Sequence, residues 1–96
     1  MIVNIARFRA KPGGENRLEA LLRDLTRRAL ARPNSGIHDF VLCRSKADPG
    51  LFLLYERLDS EAHLEAHRAT DFVKQFRRDS EPVVQELATE LLDIVA

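Results

Sequence analysis

The sequence has one cysteine and no tryptophan among its 96 residues. A lone thiol, Cys43, closes no internal disulfide and builds no cysteine cage for zinc, which fits a reducing compartment and predicts a cytoplasmic address. Its place inside an apolar strand predicts a small buried residue rather than a reactive thiol. No apolar run approaches the ~20 residues that span a bilayer, and Met1 to Arg7 lacks the basic and apolar regions of a secretion signal, so no membrane partner is expected. Neither sign of charge dominates, with 15 Lys plus Arg against 15 Asp plus Glu. The whole molecule therefore offers no field to attract nucleic acid, although eight bases face three acids in residues 1–34. Also missing are Gly-x-Gly-x-x-Gly, the P-loop, Gly-x-Ser-x-Gly and His-Glu-x-x-His, which removes the common nucleotide, acyl-transfer and zinc-protease chemistries. No flavin, haem or other cofactor is expected. The length suits one domain spanning residues 1–96.

Present instead is a regular succession of patterns. Residues 2–10 alternate around Ile2, Val3 and Ile5 as a strand, which Pro12, Gly13 and Gly14 end. From Glu15 to Arg32 the apolar Leu18, Leu21, Leu22, Leu25 and Ala29 recur at helical spacing, with Glu19–Arg23 and Asp24–Arg28 as four-residue ion pairs on the wet face. Ile37 to Ser45 reads as a second strand and Leu51 to Leu58 as a third, joined through Asp48-Pro49-Gly50 as a hairpin. Ser60 caps a short helix to about Arg68, Thr70 or Asp71 opens another, and Pro82 ends or offsets it. The apolar Leu91, Leu92, Ile94 and Val95 predict a last strand over residues 88–95. This order predicts an α+β, ferredoxin-like βαββαβ fold with a four-stranded antiparallel sheet and helices on one face. Leu51 to Tyr55 is apolar on both faces, so the sheet's second face needs a cover, and a second copy of the chain is the expected one.

Three residues carry candidate chemistry. His63 and His67 lie four apart on the short helix, and the helical wheel puts Ala62, His63, Ala66, His67 and Thr70 opposite Glu61, Glu65 and Arg68. Two imidazoles turned inward either satisfy each other's surroundings by internal hydrogen bonds or line a cavity for an aromatic or a proton. As a metal pair they lack a third ligand unless His38 or a carboxylate supplies it. Glu56 falls on the face of Phe52, Leu54 and Leu58, where a carboxylate needs a partner; Arg44, diagonally across the hairpin, is the expected one, whether as a structural ion pair or as a pocket acid and base. Asn4, among Ile2, Ala6 and Phe8, is a further pocket candidate that must find a hydrogen-bond partner inside.

An ordered set of pieces spans nearly the whole chain: Phe8 leading to Lys11-Pro12-Gly13, then Arg44-Ser45, Asp48-Pro49-Gly50, Leu54-Tyr55-Glu56, Ser60-Glu61-Ala62, and His67 followed by Thr70 and Phe72. In this it resembles the antibiotic biosynthesis monooxygenase family, which includes quinol monooxygenases. It departs in having Pro33-Asn34-Ser35-Gly36 where members often have Glu-Pro-Gly-Cys, and Leu58 where they often have an aromatic. The resemblance implies a homodimer of the dimeric α/β-barrel type and a cofactor-independent oxygenase of an electron-rich quinol-like or anthrone-like small molecule. His67, His63 and Glu56 would then be catalytic, with Asn4, Arg44 and Phe72 around the substrate. The asparagine, tryptophan and histidine set of haem-degrading relatives would fall near Ala6, His67 and Arg77, which do not match it. A non-catalytic ligand-binding or stress-response dimer, or an isomerase of a small carbonyl compound, is the alternative.

Overall fold

In the computed structural model, which describes all 96 residues, the chain runs β1 (Ile2–Ala10), α1 (Glu15–Ala31), β2 (Ile37–Arg44), β3 (Leu51–Leu58), α2 (Glu61–Arg68), α3 (Asp71–Ser80), a single 3-10 turn over Glu81–Val83, and β4 (Val84–Asp93). The strands form one antiparallel sheet in the order β2-β3-β1-β4. This is the expected α+β ferredoxin-like arrangement. No helix is long and apolar enough to cross a membrane.

Alternation decides which side of the sheet is dry. Ala6 and Phe8 of β1, Phe40 of β2 and Phe52 and Leu54 of β3 pack against Leu18, Leu22, Leu25 and Ala29 of α1 and Val73 and Phe76 of α3 as one core. Phe52, Leu18, Leu22 and Leu54 are essentially sealed from water, each contributing on the order of 2 kcal/mol through its buried apolar area. A smaller cluster of Ile2, Leu58 and Leu64 brings α2 onto the same face. The expected pairs Glu19–Arg23 and Asp24–Arg28 form at 2.9 and 2.8 Å on the exposed side of α1, where such contacts contribute only tenths of a kcal/mol.

The β2–β3 turn is built as its residues require. Asp48 accepts a bond from the Gly50 N–H through its side chain (3.1 Å) and from the Leu51 N–H through its carbonyl (3.1 Å), and its other carboxylate oxygen pairs with Arg9 of β1 at 2.7 Å. The last strand begins at Val84 rather than Ala88, because the 3-10 turn containing Pro82 delivers the chain to the sheet edge early. Its pairing with β1 then extends from Ala10–Val84 to Ile2–Asp93.

The opposite face of the sheet carries no helix. Cys43, expected to be buried, is exposed there; strand alternation turns it away from the core, opposite Leu53. Ile5, Leu53 and Tyr55 are half-buried on this face, and Val41 and Leu92 are exposed.

Candidate active site

Glu56 and Asn4 stand directly opposite each other in the β3–β1 ladder, both buried and both facing the helices. Their neighbours along the strands are apolar, so the carboxyl sits in a medium that disfavours its charged form. Burial pushes Glu56 up to about 7, and the Asn4 amide and the more distant positive charge of Arg68 oppose that rise only in part.

His67 closes the same region from α2, at 4% exposure. Its ring is held edge-on by Phe40 at 5.4 Å and Phe72 at 6.0 Å between centroids. Nδ1 is fully enclosed without a hydrogen-bond partner, which leaves Nε2 as the nitrogen open to chemistry. Burial, and then the charges of Arg32, Arg68 and Arg77, hold the imidazole down to about 4, so it is neutral throughout the physiological range. The backbone here is fixed by Thr70, whose hydroxyl donates to the His67 carbonyl at 2.7 Å while capping α3.

Asn4, Glu56 and His67 line one cavity of about 470 Å³, together with apolar walls from Phe8, Leu54, Val73 and Phe76. Arg68, Arg77, Ser80, Glu81 and Thr89 supply its remaining polar surface. A volume of this order accommodates a small aromatic. The geometry thus gathers a carboxyl near neutrality, a neutral imidazole and a primary amide around a largely apolar space.

Three of the expected site residues lie elsewhere. His63 does not enter the cavity: its Nδ1 is 2.7 Å from the Ser60 hydroxyl at the start of α2, and its ring lies against Gly36. Gly36 has φ +73, and a Cβ there would come within 2.3 Å of the His63 ring, so glycine is required on both counts. The buried face of α2 is Leu64 and His67, whereas Ala62 and Ala66, expected inward, are exposed. Arg44 does not reach Glu56. The register pairs Arg44 with Phe52 and Phe40 with Glu56, so the Leu42–Leu54 rung separates them on that face, and Arg44 instead bonds Glu19 of α1 at 2.6 Å. Phe72 supports the His67 ring but lines a separate groove between α1 and α3, beside Leu21 and Gln75. No group of three or more His, Cys, Asp or Glu converges as a metal site, so His63 and His67 gain no third ligand.

Arg68, Arg77 and Thr89 escaped sequence reasoning. A charged residue beside buried helical positions reads as a solvated face, and Thr89 lies in a strand whose polar run hides its alternation. A signal exists for Arg68 alone, which has Leu64 and Phe72, not acids, four positions away on either side, whereas Arg77 has Glu81 at that spacing.

Residues 1–79 match the family model described as Antibiotic biosynthesis monooxygenase. Among solved structures, PA3566 from Pseudomonas aeruginosa shares 29% identity over 99% of this chain and 94% of its own, with a TM-score of 0.92. A structure titled antibiotic biosynthesis monooxygenase shares 25% identity over the full length of both chains, at 0.91. Rv0793 from Mycobacterium tuberculosis shares 25% over 99% and 95%, at 0.89. No curated protein matches the sequence. With four-fifths of its length under one family model and the same fold throughout, the chain belongs to the antibiotic biosynthesis monooxygenase family.

Proposed function

We propose that the protein is a cofactor-independent monooxygenase of an electron-rich, quinol-like or anthrone-like aromatic, acting as a homodimer. The observation that carries this reading is the buried trio of Glu56, Asn4 and His67 at the wall of a largely apolar cavity. Ground-state oxygen is a triplet and reacts slowly with closed-shell molecules, but an aromatic anion can give it one electron at a time. The protein then needs to favour ionisation, hold the ring and keep bulk water out.

The two titratable groups divide that work. A base is most effective when its pKa lies near the working pH, which Glu56 at about 7 satisfies. His67, held at about 4, is a poor proton acceptor at neutral pH. Of the residues expected to be catalytic, the base is therefore the carboxylate and not the imidazole. A bare lone pair on the enclosed Nδ1, in the positive field of Arg32, Arg68 and Arg77, costs less than an orphaned N–H there, so the proton sits on Nε2. From Nε2 it donates to the developing oxyanion, and the preorganised donor is effective because the surrounding walls are largely apolar. For an anthrone the methylene carbon loses two hydrogens and gains one oxygen to become a carbonyl; the other oxygen atom leaves as water. The substrate supplies all four electrons.

Oxygen uptake with a panel of hydroquinones and anthrones is the direct test. Uptake with one oxygen atom of O2 recovered in the product, as an anthraquinone from an anthrone or a hydroxyquinone from a hydroquinone, and the other in water supports the reading, whereas ligand-induced thermal shifts without any uptake would place the protein with non-catalytic binders or isomerases. His67→Phe keeps an aromatic between Phe40 and Phe72 but removes the donor, and lowers kcat at least about tenfold. His67→Gln, which retains an N–H, recovers part of that loss. In both variants the pH dependence stays as in the parent, because the base is elsewhere.

A further inference from the structure

Of the twelve arginines, six pair with carboxylates and six do not, and of the unpaired six Arg7, Arg17 and Arg78 lie on the exposed surface. Arg9, Arg23, Arg27, Arg28, Arg44 and Arg57 each pair with a carboxylate. Arg32, Arg68 and Arg77 pair with none, and these are the three whose charges act on His67. They come from three different helices: Arg32 caps the C-terminal end of α1, Arg68 ends α2 and Arg77 lies in the last turn of α3. Arg68 and Arg77 line the cavity, and Nη1 of Arg32 is enclosed with no partner at all.

A half-buried guanidinium without a counter-charge is costly, which applies to Arg32 and Arg68, while Arg77 adds its charge from the exposed side of the cavity. The two acids that line the cavity do not cancel the charge. Glu56 is largely protonated below neutrality, and Glu81, at the rim of the cavity, is exposed to water. The site therefore holds a positive potential beside apolar walls, and the guanidinium fork matches a planar carboxylate in geometry.

We infer that the cavity takes an aromatic carboxylate, its ring against Phe8, Leu54, Val73 and Phe76 and its carboxylate on Arg68 and Arg77, with Arg32 adding positive charge from behind. This rests on the reading of the cavity as the substrate site, and it narrows the substrate class from any quinol to an acidic one. The same positive charge also favours the phenolate or enolate formed when Glu56 takes the proton.

The test uses a dihydroxynaphthoate and its methyl ester, which share the reduced ring and differ by one charge. Binding is measured by calorimetry under nitrogen, so no turnover is required. The acid is expected to bind at least about tenfold more tightly than the ester at low salt. Raised salt should shrink the difference, since part of the attraction is screened. Arg77→Gln and Arg68→Gln each reduce the preference, and the double variant brings it below about threefold by weakening the acid. Arg77 is exposed and Arg68 half-buried, so an unchanged melting temperature confirms that the fold is intact. Equal affinity of acid and ester in the parent protein, binding of neither, or a preference that survives the double variant overturns the inference. Oxygen uptake with the ester and no preference for the acid would sink this inference while sparing the oxygenase reading. Selective binding of the acid without uptake would do the reverse.

Discussion

Replacing Glu56 with glutamine lowers kcat/KM for a quinol substrate by about 100-fold or more, the range in which a positioned general base contributes. In the parent protein the rate rises as pH passes through about 7, where Glu56 loses its proton. In Glu56→Gln that rise disappears. Glutamine keeps the shape and still faces the Asn4 amide, so the loss reports the carboxylate and not a collapsed cavity. A variant that keeps both its turnover and the inflection near pH 7 would remove Glu56 from the mechanism.

The same substitution has a stability signature of known sign. The folded carboxyl titrates at about 7 against an ordinary 4.5, so the native chain binds the proton more tightly than the unfolded chain does. The stability this gives is complete below about pH 4.5 and is lost as pH rises through about 7, amounting to about 3 kcal/mol at ~1.4 kcal/mol per unit. His67 behaves in the opposite sense. Its folded value of about 4 lies below the ordinary 6.5, so its contribution is present above pH 6.5 and lost as pH falls toward 4. Between about pH 4.5 and 6.5 the two slopes oppose each other, and the parent protein is expected to melt at a nearly constant temperature. Glu56→Gln leaves the slope of His67 alone. Its melting temperature should fall as pH drops below 6.5 and should exceed that of the parent above pH 7.

Much of this arrangement could be read from the sequence because it depends on short periods. Alternation put Asn4 and Glu56 on the helix-facing side, and the helical repeat of Leu18, Leu22, Leu25 and Ala29 marked the face that covers them. What depends on the relative placement of elements was not legible. Arg44 had two acids within conceivable reach, and only the position of α1 over β2 gives it to Glu19. His63 and His67 share a wheel position closely enough that their separation follows from Gly36, whose bare backbone admits the His63 ring outside the cavity. The early start of β4 was hidden for a different reason. Nearly all of that strand is exposed, so no burial pattern marks it, and its backbone pairing with β1 decides where it begins.

The uncovered face of the sheet sets up the largest expected effect on assembly. Ile5, Val41, Leu53, Tyr55 and Leu92 present an apolar surface on which no helix lies, and we expect a second copy of the chain to cover it. In a two-fold dimer every substitution occurs twice across the interface. Leu53→Lys therefore buries two ammonium groups, and Arg7, directly opposite Leu53 in the ladder, repels the new charge where it would have neutralised an aspartate. At ~2 kcal/mol or more for each unpaired charge, the dimer weakens by at least about 4 kcal/mol, or about 1,000-fold in Kd. Leu53 is half-exposed within a single chain, so the variant should still fold, with the parent's far-ultraviolet circular dichroism. Lys74→Glu, on the exposed side of α3, is the control and leaves the dimer unchanged. Sedimentation at micromolar concentration reads the outcome: the parent and Lys74→Glu sediment as dimers and Leu53→Lys as a folded monomer. A parent protein that is monomeric there, or a Leu53→Lys variant that stays dimeric, would mean that this face meets something other than its own copy.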